Sequence, residues 1–446
     1  MNAAPADIVK GIREAGVVGA GGAGFPTHVK AAAKAEVVIA NGAECEPLLQ
    51  KDREILKTQP DQVVRGVELM MAATGARQGV VAVKAKHKEV VASLSARLKG
   101  RSDVRLQALG DFYPAGDEFC LVYEVTGKAI PPGGIPIQIG AVVSNVETLR
   151  NVAASAERPV TDTFLTVAGA VKKPCTLRLP VGAAIADAIA LAGGASVPEF
   201  AVLDGGAMMG RVVTDLSEPL TKTSGGFIVL PKDHVLIRRK SAPRPVYSRI
   251  GRSACDQCCF CTEFCPRYLL GYAIEPHKVM RSLSFRGSGK ELWSEWSLLC
   301  CECSLCSLYA CPENLDPKNV CVSAKADLRA AGRGWKESTL AKGAPRPVHP
   351  VREFRKVPIP QLIRRLGLEQ YRADAPLIAT DWAPRRVRIP LKQGLGVPAA
   401  PVVSLGQKVA EGQLLADIPA DQLGARVHAS IAGTVRSVDS AITIEA

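Results

Sequence analysis

Aromatic side chains are scarce in this chain, 5% of its 446 residues, and no nucleic-acid recognition module shows, so its positive charge does not read as a nucleic-acid surface. Also missing is any apolar run long enough to cross a bilayer. Met1–Lys10 lacks the basic-then-apolar layout of a secretory signal. The expectation is a cytoplasmic protein with no membrane span, no nucleic-acid partner and reduced cysteines. Lys and Arg outnumber Asp and Glu by 56 to 43, a net +13. Much of the excess lies late, in Arg346, Arg352, Arg355, Lys356, Arg364, Arg365, Arg385, Arg386 and Arg388. Such a stretch predicts a solvated linker or a face for an acidic partner. With 47% hydrophobic residues, a chain of this length has material for roughly three to four domains, each with its own core.

What the chain does have is cysteine in an organised form. Eight of fourteen fall into two groups: Cys255, Cys258, Cys261 and Cys265 before Pro266, and Cys300, Cys303, Cys306 and Cys311 before Pro312. In C-x-x-C-x-x-C a short turn brings three thiolates round one corner of a cubic cluster, and the fourth cysteine, just before proline, crosses to the neighbouring cluster. The spacing predicts one 4Fe-4S cluster on Cys255, Cys258, Cys261 and Cys311, and a second on Cys300, Cys303, Cys306 and Cys265. Structural zinc has no use for a third cysteine at the same spacing, and a disulfide framework belongs to small secreted domains. Cys259, Cys301 and Cys321 lie off the spacing. Trp293, Trp296 and Tyr309, near the cysteines, read as packing residues in place of electron relays.

The N-terminal third opens on a predicted helix, Asp7–Ala15, with Ile8, Val9 and Ile12 on one face and Gly16 as its stop. Gly19-Ala20-Gly21-Gly22-Ala23-Gly24 follows. It matches G-x-G-x-x-G, but a dinucleotide fingerprint must follow a strand and open a helix, whereas here a helix precedes and Pro26 interrupts. The glycines still allow backbone N–H groups to approach an anionic phosphate, with Lys30 shortly after to pair with it. Three further segments are Asn41-Gly42-Ala43-Glu44-Cys45-Glu46-Pro47 with Lys51-Asp52-Arg53 behind, Tyr113-Pro114-Ala115-Gly116-Asp117-Glu118, and Asn145-Val146-Glu147-Thr148. In this order they resemble the flavin-binding segments of the NADH-oxidising subunit of respiratory complex I and of the Rnf complex C subunit. The resemblance implies that Gly21, Gly22, Ala23, Gly24 and Lys30 hold the FMN phosphate and ribityl chain. It further implies that Asn41, Glu44, Asn145 and Thr148 bond the flavin, and that Tyr113, Gly116, Asp117 and Glu118 lie near the nicotinamide, the two acids shaping the hydride-donor pocket. Ala20 and Ala43 depart from the complex I pattern, which has an arginine and an aspartate there; the N-x-A-E-C-E-P form is closer to the Rnf and cobalamin-reductase branch.

Downstream, Phe164–Val167 and Thr176–Leu179 alternate as strands, Ala184–Ala192 reads as a helix and Gly193-Gly194 stops it; this unit resembles a β-grasp module. Pro231–Ser248 reads as a linker. After the clusters, short β runs at Val387–Ile389, Val402-Val403, Leu414-Leu415 and Thr434-Val435 resemble the barrel-sandwich hybrid of lipoyl domains. The hairpin His428–Gly433 has no lysine to carry a swinging cofactor. The expected fold is thus a multidomain α/β and α+β chain. It comprises an FMN/NADH-binding domain over 1–155, a β-grasp over 160–235, a two-cluster ferredoxin-like domain over 245–330, a basic linker over 331–380 and a barrel-sandwich hybrid over 381–446. That module order resembles the cobalamin-reductase family of propanediol-utilisation bacterial microcompartments. It implies FMN and two 4Fe-4S clusters as cofactors, NADH as donor and cobalamin as acceptor substrate. It also implies a shell protein and the adenosyltransferase and diol dehydratase system as partners. An electron-transfer adaptor, or an Rnf-type subunit with another acceptor, stays open on the residues alone, as does the oligomeric state.

Overall fold

A computed structural model describes residues 4–344, 346–419 and 421–446; Met1–Ala3 of the first expected domain, Pro345 in the basic stretch and Ala420 lie outside the described residues. The first helix, Pro5–Glu14, buries Ile8 and Ile12. Behind it stands a parallel sheet in the order Val104–Leu109, Gln78–Lys84, Val37–Gly42, Ala141–Asn145. The two central strands are nearly continuous runs of valine, isoleucine and alanine, as strands covered on both faces require, and helices Pro60–Thr74 and Val146–Ala154 pack against them. In the register of this sheet Asn41 lies beside Asn145. Asn145 ends its strand and Asn41 is the last residue but one of its own, so both lie at the carboxyl edge, where open α/β sheets bind ligands.

The next unit is a five-stranded sheet in the order Cys175–Pro180, Asp162–Gly169, Gly226–Pro231, Phe200–Asp204, Arg211–Val213, with helix Ile185–Leu191 across it. It joins the flavin-type domain through Glu147, which accepts hydrogen bonds from Phe164 N–H (2.9 Å) and Thr163 Oγ1 (3.2 Å). Glu46 makes a second tie, accepting from the N–H groups of Met208 and Met209, each at 2.8 Å. Pro231–Ser248 is not an open linker. Val235–Lys240 forms a helix with Leu236 and Ile237 in the core, and Arg244–Ala254 forms another that leads into Cys255. The basic residues had masked the short apolar stripe.

The stretch 331–380 is likewise no solvated linker. Four of its cations are paired inside the chain: Arg352 and Lys356 with Glu124 (2.6 and 2.8 Å), Arg355 with Glu263 (2.6 Å) and Arg346 with Glu275 (3.3 Å). Val357–Pro358 pairs with Phe112–Tyr113, and helix Ile359–Arg365 buries Ile359, Leu362 and Ile363. The segment is a strap binding the cluster region to the flavin-type domain. The C-terminal module pairs a four-stranded sheet with a three-stranded one. Its second strand is Ala400–Pro401, just before the expected Val402-Val403. The hairpin that bears lysine in lipoyl domains is buried here, with Ser430 Oγ donating to Val181 O at 2.6 Å. No described helix is long and apolar enough to cross a membrane.

Candidate functional site

Four chain segments meet at the carboxyl edge of the parallel sheet. Asn41 Nδ2 donates to Gly116 O (2.9 Å), while its Oδ1 accepts from Ala43 N–H (3.1 Å). Asn145 Oδ1 caps its helix by accepting from Glu147 N–H, and its Nδ2 donates to Asp52 Oδ2 (2.8 Å). Glu44 accepts from Asp52 N–H (3.1 Å). Thr148 Oγ1 accepts from Ala20 N–H (2.9 Å), fastening the glycine loop. Beneath that loop lies a buried ion pair between two residues of the quoted segments, Lys51 and Glu147, to which no role was assigned from sequence. Lys51 Nζ donates to Ala20 O (3.0 Å) and to Glu147 Oε2 (2.8 Å). Burial opposes the ammonium, but Glu147 and Asp52 outweigh it and hold Lys51 above its ordinary pKa. Burial lifts the Asp52 carboxyl to about 6, against the pull of Lys51, and lifts Glu44 well above the carboxylate range, with Asp52 adding to it. The signal for these residues was Lys51-Asp52 following the E-C-E-P turn, charges in a segment that otherwise reads as core.

Several expected site residues have other work. Gly24, at φ +64°, is filled from the other side: a Cβ there would lie 2.5 Å from Gly394 Cα of the barrel-sandwich module. It is therefore a packing glycine. Gly22, at φ +115°, has open space where a Cβ would be, and Gly21, Gly22 and Ala23 are exposed. Lys30 does not stand free for a phosphate; its ammonium donates to Val143 O (2.9 Å) and meets Glu118 Oε1 at 3.4 Å. Glu118 stays partly exposed beside it. Asp117 instead caps helix Glu118–Thr126, accepting from Phe119 and Cys120 N–H, and pairs with Arg267 of the cluster region (2.8 Å). Tyr113 is buried, and its hydroxyl donates to Cys303 O at 2.8 Å; it lines the junction with the clusters, not a nicotinamide face. Its position in a turn motif gave no sign of a partner 190 residues away.

The two cysteine loops share one backbone. Gln257 and Cys259 in the first, Glu302 and Ser304 in the second, all take the left-handed conformation, at the same offsets from the leading cysteine. Cys265 and Cys311 share φ near −72° and ψ 117° before their prolines. Alternating hand of this kind turns successive N–H groups into a concavity suited to an anionic cluster. Cys255, Cys258, Cys261 and Cys311 line one cavity, the first expected set. Among the described residues no three His, Cys, Asp or Glu side chains converge on a single ion; these thiols surround a space. Burial, then the neighbouring Cys255, Cys311 and Cys258, pushes Cys261 up to about 12. In the second set, Cys306 is raised by burial and by its neighbours Cys300 and Cys265. Thiols so protonated release protons as a cluster assembles. Cys301 stands beside Cys303, and Cys321 beside Cys300, so these extra cysteines are neighbours of the ligand set. Trp296, with Lys278 3.6 Å above it, and Tyr309, edge-on to Phe264, sit in packing contacts.

The residues present fit both groups. Asp52 Oδ1 is buried without a hydrogen-bond partner among the described residues, and of the exposed glycines Gly21 stands next to Asn145 while Gly22 faces open space, a polar cradle open on one side. Chain, edge and paired loops define a modular flavin and iron–sulfur electron-transfer protein. Comparison with known proteins agrees module by module. The Nuo51 FMN-binding domain matches residues 12–154, the SLBB domain 164–212, the 4Fe-4S dicluster domain 254–316 and the RnfC barrel sandwich hybrid domain 369–446. Cobalamin reductase PduS of Salmonella typhimurium is 39% identical over 447 residues, covering 100% of this chain and 97% of that one. A component of the proton-translocating ferredoxin:NAD(+) oxidoreductase complex of Clostridium ljungdahlii is 34% identical over 58% of this chain and 55% of its own. An NAD+-reducing [NiFe]-hydrogenase shares the fold, with TM-score 0.50 and 21% identity over 74% of this chain and 67% of that one. The chain belongs to the PduS cobalamin reductase family.

Proposed function

We propose that this chain oxidises NADH at FMN and delivers the electrons singly, through the cluster on Cys265, Cys300, Cys303 and Cys306 and then the one on Cys255, Cys258, Cys261 and Cys311, to cobalamin. Bound FMN supplies the conversion of a hydride into single electrons. The observation that carries the order is the contact of Tyr113 with Cys303 O, set against the exposure of Cys258 on the other loop. We refer to the first as the inner and the second as the outer cluster. Gly21, Gly22 and Ala23 hold the phosphate end through backbone N–H groups, with Lys51 and Thr148 fixing the loop from below. Asn41, Glu44, Asp52 and Asn145 bond the flavin. Glu118, oriented by Lys30, stands at the donor side. Ala20 and Ala43 are buried, and Lys51 brings to the loop a cation that Ala20 lacks. The relatives' name supports cobalamin as acceptor and a propanediol-utilisation microcompartment as the setting, with a shell protein, an adenosyltransferase and a diol dehydratase as partners.

Anaerobic rapid mixing with NADH tests the donor half: the flavin band should bleach, and Glu118→Gln should slow it while dithionite-reduced protein still passes electrons on. Turnover with aquacobalamin tests the other half. A parent protein that NADH does not reduce overturns the donor; one that reduces but leaves aquacobalamin untouched overturns the acceptor.

A further inference from the structure

The two cluster loops are built alike but charged differently. Two residues after the fourth cysteine of each loop stands Arg267 in one case and Glu313 in the other. The backbone N–H groups of Arg267 and Glu313 lie near the sulfur of the cysteine two residues before, Cys265 and Cys311, so the two positions correspond in space as well as in sequence. Their side chains diverge. Glu313 is exposed. Arg267 is buried at 8% exposure, its guanidinium stacked 3.5 Å over the Phe119 ring and paired with Asp117 at 2.8 Å. The Cys301 thiol, between ligands Cys300 and Cys303, stands against it. Arg267 Nη1 has no hydrogen-bond partner among the described residues, which is costly for a buried charged donor and leaves it available to the inner cluster's own acceptors.

We propose that Arg267 is a positioning residue that sets the reduction potential of the inner cluster, raising it above that of the outer one. This rests on the two-cluster reading above. Reduction adds one electron to the cluster core and makes it one unit more negative, with no proton taken up at Arg267. A fixed cation at short range in a poorly solvated site stabilises that product. Asp117 holds the guanidinium and offsets part of its charge; Lys325, which donates to Cys300 O at 3.0 Å, is itself paired with Glu302. The outer cavity is lined by Asp256, Glu313 and His277, with no Lys or Arg; Arg365, which donates to the carbonyl of Cys311 at 3.2 Å, is exposed, so water screens its charge. The more reducing cluster therefore lies on the loop with the exposed cysteine, where an acceptor meets it.

The test is a dithionite redox titration of the anaerobic holoprotein followed by electron paramagnetic resonance, the inner signal being assigned in Cys258→Ser protein. Arg267→Gln should lower the reduction equilibrium of the inner cluster by about tenfold or more, about 59 mV for one electron. Arg267→Lys should restore most of it, and Asp117→Asn should move it the opposite way. Glu313→Gln should leave the outer cluster within a small fraction of that shift. An unchanged inner potential in Arg267→Gln protein that keeps both clusters would overturn the proposal. Should that variant lose iron, Asp117→Asn decides: an upward shift supports the assignment, and no shift or a downward one sinks it. Failure of the NADH reading would show separately, as a parent flavin that NADH does not bleach.

Discussion

The first and second cysteine loops share the spacing of their first three cysteines, left-handed positions and a proline-bounded last cysteine, yet one keeps Cys258 exposed while the other is closed in. Tyr113 binds the second loop to the flavin-type domain, Arg267, which follows the last cysteine of the first loop, sits between Asp117 and Cys301 of the second, and Lys325 braces the second loop from behind. The comparison teaches that the cysteine motif decides that a cluster is held, whereas the surroundings decide what that cluster exchanges electrons with. Ligand geometry is local; access and potential are not.

The comparison breaks most visibly at the ligands. Cys303→Ser and Cys258→Ser should each remove one cluster, about four irons of about eight, and leave FMN bound. They differ in consequence: without the inner cluster NADH should fail to reduce the outer one, whereas without the outer cluster the inner should still be reduced. Equal behaviour by paramagnetic resonance would cancel the inner and outer assignment. A change remote from both loops comes next. Glu147→Gln strands Lys51 as an unpaired buried cation, at a cost of about 3–5 kcal/mol. It also weakens the anchors to Phe164 and Thr163, so thermal unfolding should fall and FMN should dissociate on gel filtration. Iron content at the native level in the folded fraction would keep the two sites separable. Tyr113→Phe removes a single buried hydrogen bond, about 1 kcal/mol, and should disturb only the inner cluster's spectrum; an equal disturbance of the outer signal would contradict the contact. The smallest effects are expected at the bystander thiols. Cys259→Ala and Cys301→Ala should retain both clusters by iron analysis, with the Cys301 change, beside Arg267, perturbing the inner signal more than Cys259 perturbs the outer.

Most of the architecture could be read from residue patterns. The helix before the glycine loop is there, so the rejected dinucleotide fingerprint stays rejected; the β-grasp strands and helix also stand where alternation put them, because those patterns repeat within a few residues. The failures share one property. Gly24 meets Gly394, Tyr113 meets Cys303, Asp117 meets Arg267, and the basic stretch meets Glu124, Glu263 and Glu275. Each depends on a partner far along the chain, so no local pattern could announce it, and an unpaired charge looks the same in sequence whether it faces water or a carboxylate.

The sequence by itself determined the chemistry this chain supports: eight cysteines at cluster spacing, a glycine loop behind the first helix, and the order of the modules that carry them. These are matters of residue type and short spacing, which covalent geometry and backbone sterics translate directly into turns and ligand sets. Only the tertiary structure decided which cysteine loop touches the flavin-type domain and which cysteine stays exposed. It also decided that Lys51 and Glu147 brace the glycine loop, and that a fixed cation, Arg267, is buried against one cluster and not the other. Those outcomes follow from burial and Coulomb interactions between residues brought together by folding, whose strength depends on distance and solvent access in three dimensions.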